Sequence, residues 1–196
     1  MWGFYEAIRP CYCHSMRNPV TPDRIHKLLA ELGARARGPG RIYLVGGSTA
    51  LLLGFRAQTI DVDLKLDPEP LGIFEAISDL KRELDLNIEL AAPDDFIPAL
   101  PGWQERSSFL LKAGPVEFYH YDFYAQALAK IERGHSQDLE DVASLVRSGR
   151  VVLEELWRLF EAIKAALIRY PGIEPSQFER KVKLVLADLG AGDVDD

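Results

Sequence analysis

The chain has 196 residues, of which 47% are hydrophobic and 27% charged, a composition typical of a folded globular protein. The formal net charge of −7 disfavours broad, nonspecific binding to nucleic acid. No apolar run approaches the ~20 residues of a membrane-spanning helix, and no signal-peptide pattern opens the chain. The two cysteines, Cys11 and Cys13, are too few for a disulfide framework. We therefore expect a cytoplasmic protein with no membrane partner.

Hydrophobic periodicity divides the chain into an α/β portion up to about residue 121 and a helical portion after it. Residues 1–20 show no period and are predicted to be an irregular arm. Thr21 and Pro22 mark the start of a helix that Gly33 is expected to end. The next predicted elements are a strand at 42–45, a short helix at 49–54 capped by Ser48, a strand at 59–66, a helix at 73–84, a strand at 86–90, and a hairpin of 109–112 with 116–121.

The second portion is predicted to contain helices at 122–133, 136–147, 151–170 and 175–189, with breaks at Gly134 and Pro171. The expected fold class is α/β, a mixed sheet flanked by helices. The expected organisation is a core at 1–121 with an N-terminal arm and helix, a C-terminal helical part at 122–189 packed on it, and a flexible acidic tail at 190–196.

Two carboxylates, Asp61 and Asp63, lie in the strand predicted at 59–66. Residues two apart in a strand project from the same face, ~6.5–7 Å apart. Because like charges so close disfavour each other, the pair favours a cation between them. Hard oxygen ligands of this kind suit Mg²⁺, which retains coordination positions for substrate phosphates. On its own, however, an Asp-x-Asp pattern is also typical of an exposed strand face.

Gly46-Gly47-Ser48 separates the strand at 42–45 from the short helix that follows. Glycine lets the backbone approach a ligand closely, the start of a helix offers free N–H groups to phosphate, and Ser48 adds a hydroxyl. The spacing is neither that of a P-loop nor that of a dinucleotide-binding loop. A tight strand-to-helix turn without a ligand is the alternative. Together with the aspartate pair, the turn indicates a nucleotide site.

The order of these motifs, Gly47-Ser48 and then Asp61-x-Asp63 on the next strand, resembles the signature of the nucleotidyltransferase superfamily, which has the polymerase-beta-like fold. The resemblance implies a nucleotidyltransferase-like mixed sheet. It also implies that the aspartates hold Mg²⁺ (or Mn²⁺), and that Gly47 and Ser48 bind the triphosphate of an NTP substrate. Gly46, in the same turn, is a further candidate nucleotide-binding residue.

That family places a third carboxylate on a later strand, between apolar neighbours. Ile88-Glu89-Leu90 has this pattern, with Glu where many members have Asp. The resemblance therefore implies that Glu89 joins Asp61 and Asp63 as a catalytic metal ligand. Asp122, which is also flanked by apolar residues, is the alternative third carboxylate.

The stretch around Lys130 resembles a pattern of bacterial nucleotidyltransferase-like proteins related to abortive-infection and toxin–antitoxin toxins. The matching residues are Ala127-Leu128-Ala129-Lys130, Arg133, Asp138 and Asp141. The resemblance implies a catalytic role for Lys130, while Lys130 and Arg133 share a helix face from which they could contact phosphate. An inter-helix salt-bridge network is the alternative.

Arg56 and Thr59 fit a recurring element of the same relatives, which implies that they bind the nucleotide. The function implied is Mg²⁺-dependent transfer of a nucleotidyl group from an NTP to an acceptor hydroxyl. The acceptor could be RNA such as tRNA, a protein or a small molecule, and the role could lie in a toxin–antitoxin or phage-defence system with a protein partner. The alternative function is a catalytically silent module that binds a partner as an antitoxin does.

Overall fold

The computed structural model describes residues 19–190, in which strands and helices are mixed up to residue 120 and only helical elements follow. The helices are α1 Pro22–Arg35, α2 Gly46–Leu52, α3 Ile73–Glu83, α4 Trp103–Arg106, α5 Phe123–Arg133, α6 Ser136–Arg147, α7 Leu153–Lys164 and α8 Pro175–Gly190. The strands are β1 Gly40–Val45, β2 Asp61–Leu66, β3 Asn87–Leu90, β4 Ser108–Ala113 and β5 Val116–His120. Short 3₁₀ turns occupy Pro93–Asp95 and Leu167–Arg169.

The five strands form one mixed sheet in the order β3-β2-β1-β5-β4. The central strand β1 is antiparallel to β2 and parallel to β5. β2 is parallel to β3, and β4 is antiparallel to β5 in the predicted hairpin. The predicted α/β class, a mixed sheet flanked by helices, is confirmed.

The two faces of the sheet bury different clusters because successive side chains in a strand alternate between them. Ile42 and Leu44 of β1 pack in the cluster that contains the apolar residues of α1 and α3. Tyr43 and Val45 point to the other face, where α5, α6, α7 and α8 supply most of the partners. The C-terminal helices therefore cover one face of the sheet, and α1 and α3 cover the other.

Several predicted boundaries agree with the structure. The helix starting after Thr21 begins at Pro22, the helix over 122–133 begins after Asp122 and ends at Gly134, and α8 begins at Pro175. Gly134 has a φ of 72°, the left-handed conformation that favours glycine after a helix. Cys11, Cys13, the arm up to residue 18 and the tail from residue 191 lie outside the described residues.

Other predicted boundaries are wrong. α1 runs past Gly33 to Arg35, and α2 begins at Gly46 rather than after a Ser48 cap. The strand predicted from residue 59 begins at Asp61, and Thr59 only makes an isolated bridge with Val20. The long helix predicted over 151–170 begins at Leu153 and ends at Lys164, and a separate 3₁₀ turn follows at Leu167–Arg169. The turn at Pro93–Asp95 and the one-turn helix α4 were not predicted.

None of the helices between residues 19 and 190 combines the length and the apolar character required to cross a bilayer.

Gly33 is needed where α1 passes the β4–β5 hairpin. A Cβ at Gly33 would overlap the carbonyl oxygen and the side chain of Ala113, and a Cβ at Gly114 would overlap the Gly33 carbonyl oxygen. Two glycines therefore let the helix and the hairpin approach each other closely. A packing constraint, and not a helix end, explains the glycine at this position.

We expect Gly33→Ala to destabilise the protein by about 1–3 kcal/mol because the added methyl group displaces the hairpin. Helix propensity alone would give the opposite sign, since alanine is favoured over glycine in a helix by about 1 kcal/mol. Urea denaturation measures the difference. Gly172→Ala is the matched control, because no atom lies within 4 Å of its added Cβ. A Gly33→Ala protein as stable as the wild type would contradict the close packing.

Candidate functional site

A cavity of about 230 Å³ lies where β1, β2 and β3 face α5. This volume lies slightly below the range of small-molecule sites, about 300–1,000 Å³, and the cavity opens to solvent. Besides Gly46, the lining contains the polar and charged residues Asp61, Asp63, Glu89, Gln126, Lys130 and Arg133. The apolar part of the lining comes from Val45, Ala91, Ala92, Pro93, Phe96 and Ala129.

The three predicted carboxylates come together because β2 and β3 are parallel neighbours. Their register pairs Asp63 with Glu89 and Asp61 with Asn87. Val62 and Ile88, between these residues, are buried on the opposite face of the sheet. Asp61, Asp63 and Glu89 therefore project from one face into one cavity. Strand alternation predicted this for the two aspartates, and the family resemblance implied it for Glu89.

Asn87 lies beside these carboxylates and was not predicted as a site residue. Its amide nitrogen donates to Asp61 Oδ1 at 2.6 Å and to Glu89 Oε1 at 2.7 Å. The signal that could have identified it is its position two residues before Glu89, on the same strand face. Asn87 holds two of the three carboxylates with one amide group.

The environment of Asp63 disfavours its charged form. Burial, and then the negative charges of Glu89 and Asp61, raise the pKa of Asp63 to about 6, although the positive charges of Arg133 and Lys130 oppose the shift. A carboxyl group with a raised pKa in a cavity is typical of a functional site. A divalent cation near these residues would relieve the repulsion.

The donor set fits such a cation by its chemistry, because three carboxylates supply the hard oxygen ligands that Mg²⁺ and Mn²⁺ prefer. Within residues 19–190, no group of three or more acidic, histidine or cysteine side chains is arranged so that it could hold a metal ion by itself. Asp61, Asp63 and Glu89 thus share a cavity without forming a closed ligand cage. Substrate oxygens and water would have to complete the coordination.

The glycine turn reaches the cavity through Gly46 alone. Gly46 has a φ of 61°, and its N–H donates to the Gln126 side-chain oxygen at 2.8 Å. A Cβ at Gly47 would overlap the Thr59 hydroxyl, so Gly47 is needed for packing. Ser48 is 0% exposed, and its hydroxyl donates to the Val45 carbonyl at 2.8 Å. The cavity lining does not include Gly47, Ser48 or Thr59.

Lys130 lies at the centre of an ion-pair network between α5 and α6, the alternative that the sequence offered to a catalytic role. Its side chain is 5% exposed, and Nζ donates to Asp138 at 2.8 Å and to Asp141 at 2.6 Å. Arg133 pairs with Asp138 at 3.0 Å, and Arg56 donates twice to Asp141, at 2.8 and 2.5 Å. We call these three cations and two carboxylates the cation network.

The cation network carries one net positive charge and reaches the cavity through Lys130 and Arg133. Burial alone would raise the pKa of Asp138, but the hydrogen bond from Lys130 and the charges of Lys130 and Arg133 lower it. Arg133 is 47% exposed, so its guanidinium remains accessible to a ligand. Arg56, which does not belong to the lining, holds Asp141 from the other side.

Asp122, the alternative third carboxylate, is occupied elsewhere. It is buried, accepts from the Tyr124 N–H at 3.0 Å as the N-cap of α5, and pairs with Arg106 at 2.6 Å. Asp122 does not belong to the cavity lining, whereas Glu89 does. The structure therefore favours Glu89 as the companion of the two aspartates.

Gln126 also belongs to the site and was not predicted. Besides accepting from Gly46, its side-chain nitrogen donates to the Tyr121 carbonyl at 2.7 Å. Gln126 therefore joins the glycine turn to α5. Its spacing of four residues before Lys130 on a predicted helix is the signal that could have identified it.

A family model described as a nucleotidyltransferase of unknown function (DUF6036) matches residues 24–178. The match spans most of the chain, and the protein belongs to this family. It supports the nucleotidyltransferase superfamily that the motifs indicated. The comparisons with curated proteins and with solved structures gave no match.

We expect Asp63→Asn to stabilise the metal-free protein at pH 7 by about 1–3 kcal/mol. The pKa of Asp63 is raised from its ordinary 3.8 to about 6, so the native state binds this proton more tightly than the unfolded state does. The contribution of Asp63 is therefore most favourable below pH 4 and is lost as the pH rises through 6. Urea denaturation in chelator from pH 4 to 8 measures the gain, which should shrink toward pH 4.

Asp79→Asn, which removes a half-exposed carboxylate of α3 that pairs with Arg82, is the control for removing one negative charge. Parallel pH profiles for Asp63→Asn and the wild type would contradict the proposed cause.

We expect Lys130→Met to destabilise the protein by about 3 kcal/mol, because it leaves two buried carboxylates with less compensation. Arg56 and Arg133 remain as partners, so the effect falls at the low end for a broken buried pair. Lys164→Met, which removes a partly exposed lysine with two glutamate partners, should change stability little. Thermal or urea unfolding compares the variants. If the two substitutions lower the free energy of unfolding equally, burial of the cation network does not increase its contribution to stability.

Proposed function

We propose that this protein is an enzyme that moves a nucleotidyl group from an NTP to an acceptor hydroxyl, with Mg²⁺ or Mn²⁺ as cofactor. The observation that carries the proposal is the convergence of Asp61, Asp63 and Glu89 with Lys130 and Arg133 in one cavity. Membership of a nucleotidyltransferase family supports it. A cavity with a carboxylate side and a cationic side suits a cation-bound polyphosphate.

In this proposal, Asp61, Asp63 and Glu89 hold the divalent cation. When bound, the cation supplies positive charge to the phosphate oxygens and lowers the pKa of the acceptor hydroxyl. Arg133 contacts phosphate from the exposed side of the cavity, and Lys130 adds a positive charge from within the cation network. Gln126 fixes the turn at Gly46, which forms the adjoining wall.

The acceptor oxygen forms a bond to the α-phosphorus, and the bond from that phosphorus to the bridging oxygen breaks. Pyrophosphate leaves with the electron pair, and the acceptor proton passes to solvent. The residues of the chain contribute mainly by positioning the reactants and by electrostatic stabilisation. Ser48, Gly47, Thr59 and Arg56 contribute indirectly, by shaping the glycine turn and holding Asp141.

Candidate acceptors are RNA such as tRNA, a protein and a small molecule. The net charge of −7 favours an acceptor bound at a local site over one bound along a broad nucleic-acid surface. A role in a toxin–antitoxin or phage-defence system, with a protein partner, is part of the proposal. It rests on the resemblance of the segment from Ala127 to Asp141 to nucleotidyltransferase toxins.

Titration calorimetry with each NTP, in Mg²⁺ or in Mn²⁺, tests the site. We expect binding that depends on the cation and that falls by more than about tenfold in the Asp61→Asn/Asp63→Asn double variant. Glu117→Gln, a carboxylate on β5 that does not line the cavity, is the matched control. The absence of binding with every NTP and either cation would overturn the proposal.

Incubation of the protein with labelled NTPs and total RNA or cell lysate then tests the transfer and identifies the acceptor. Label should appear on a product with the wild type and not with the double variant. Cation-dependent NTP binding without any transferred label would support the catalytically silent module instead.

A further inference from the structure

Phe96 leaves an aromatic ring exposed at the cavity of the three carboxylates. It is 53% exposed and belongs to the cavity lining. Burying a phenylalanine side chain stabilises a protein by about 1.5–3 kcal/mol, so a ring left half in water gives up much of this gain. Within residues 19–190, none of the close ring pairs includes Phe96. Phe109, by contrast, is exposed but packs edge-on against Tyr119 at 5.5 Å.

The backbone that carries Phe96 is held in place. The Asp95 carboxylate accepts from the Ala92 N–H at 2.8 Å, which closes the 3₁₀ turn before Phe96. The neighbouring Asp94 accepts from Lys65 of β2 at 2.6 Å. The ring therefore stands on a segment fixed to the sheet, and binding a ligand against it requires little ordering of the chain.

The rest of the lining indicates what the ring would contact. Pro93 and Ala91 extend the apolar surface on the Phe96 side, whereas Arg133 and Lys130 place positive charge on α5. A ligand that matches both parts has a flat apolar ring system and a polyanionic chain. A nucleotide has both, since every base presents a π-face and the phosphates carry the negative charge.

We propose that Phe96 is the platform on which the base of the bound nucleotide stacks. The inference rests on the proposed function and deepens it, because it names the residue that recognises the nucleoside part of the substrate. Stacking tolerates all four bases, so Phe96 increases affinity for nucleotides as a class and does not select one base. The charged residues of the cavity then contact the phosphates without help from Phe96.

Calorimetry with two probes, each in Mg²⁺, tests the proposal: the four NTPs, and inorganic tripolyphosphate, which lacks a base. We expect Phe96→Leu to weaken NTP binding about tenfold while tripolyphosphate binding changes by less than about twofold. Phe96→Trp, which retains an aromatic face, should preserve NTP affinity. Phe109→Leu is the matched control, because Phe109 is also an exposed phenylalanine but lies on the edge strand β4, outside the cavity lining. This variant should bind both probes as the wild type does.

Equal effects of Phe96→Leu on the two probes, or no effect on either, would overturn the proposal. Equal affinity of the wild type for NTPs and for tripolyphosphate would also overturn it, but would leave the polyphosphate site of the proposed function intact. A wild-type protein that binds neither probe would overturn both.

Discussion

Asp61, Asp63 and Glu89 face one cavity from two neighbouring parallel strands, and their negative charges repel one another there. The strand register enforces this proximity, because the buried residues between them pack on the opposite face of the sheet. Two kinds of neighbouring group reduce this repulsion. Asn87 donates both amide hydrogens to two of the carboxylates, and the cation network presents Lys130 and Arg133 to the same cavity. A divalent cation bound in the cavity would reduce the same repulsion more strongly than Asn87 or the cation network does.

The helical portion contributes to the site as much as the sheet does. Gln126 of α5 fixes the turn that follows β1, and Arg56, which follows α2, pairs with Asp141 of α6. Lys130 then joins α5 to α6 through its two carboxylate partners. The cavity is thus bounded by both portions of the chain, and changes in the packing of α5 and α6 would alter the positions of the charges that face the carboxylates.

The parts of the site that sequence predicts are those fixed by a local period. Alternation in a strand is enough to place Asp61 and Asp63 on one face, whereas Glu89 was implied by the resemblance to nucleotidyltransferases. The register that pairs Asp63 with Glu89 cannot be predicted from alternation, because the helix α3 lies between the two strands in the chain and only the packing of the sheet fixes their register. The fold class followed from the same periodic signals, together with the resemblance to nucleotidyltransferases.

Residues whose role depends on a distant partner could not be predicted in this way. Ser48 resembled a helix cap, but it lies inside α2, which begins at Gly46, and its hydroxyl donates to the Val45 carbonyl. Gly33 resembled a helix end, but the hairpin at Ala113 accounts for it. Phe96 lies in an irregular segment, where no period indicates which side chains are exposed.

The double hydrogen bond of Asn87 has a chemical consequence. An amide and a carboxylate have nearly the same shape, so deamidation would replace one nitrogen atom by oxygen without altering the volume of the side chain. It would also turn two attractive contacts into repulsions and add a fourth negative charge next to Asp63. The charge of the cavity thus depends on the chemical integrity of a single amide, and an aged sample could lose the arrangement of its carboxylates while its fold stayed intact.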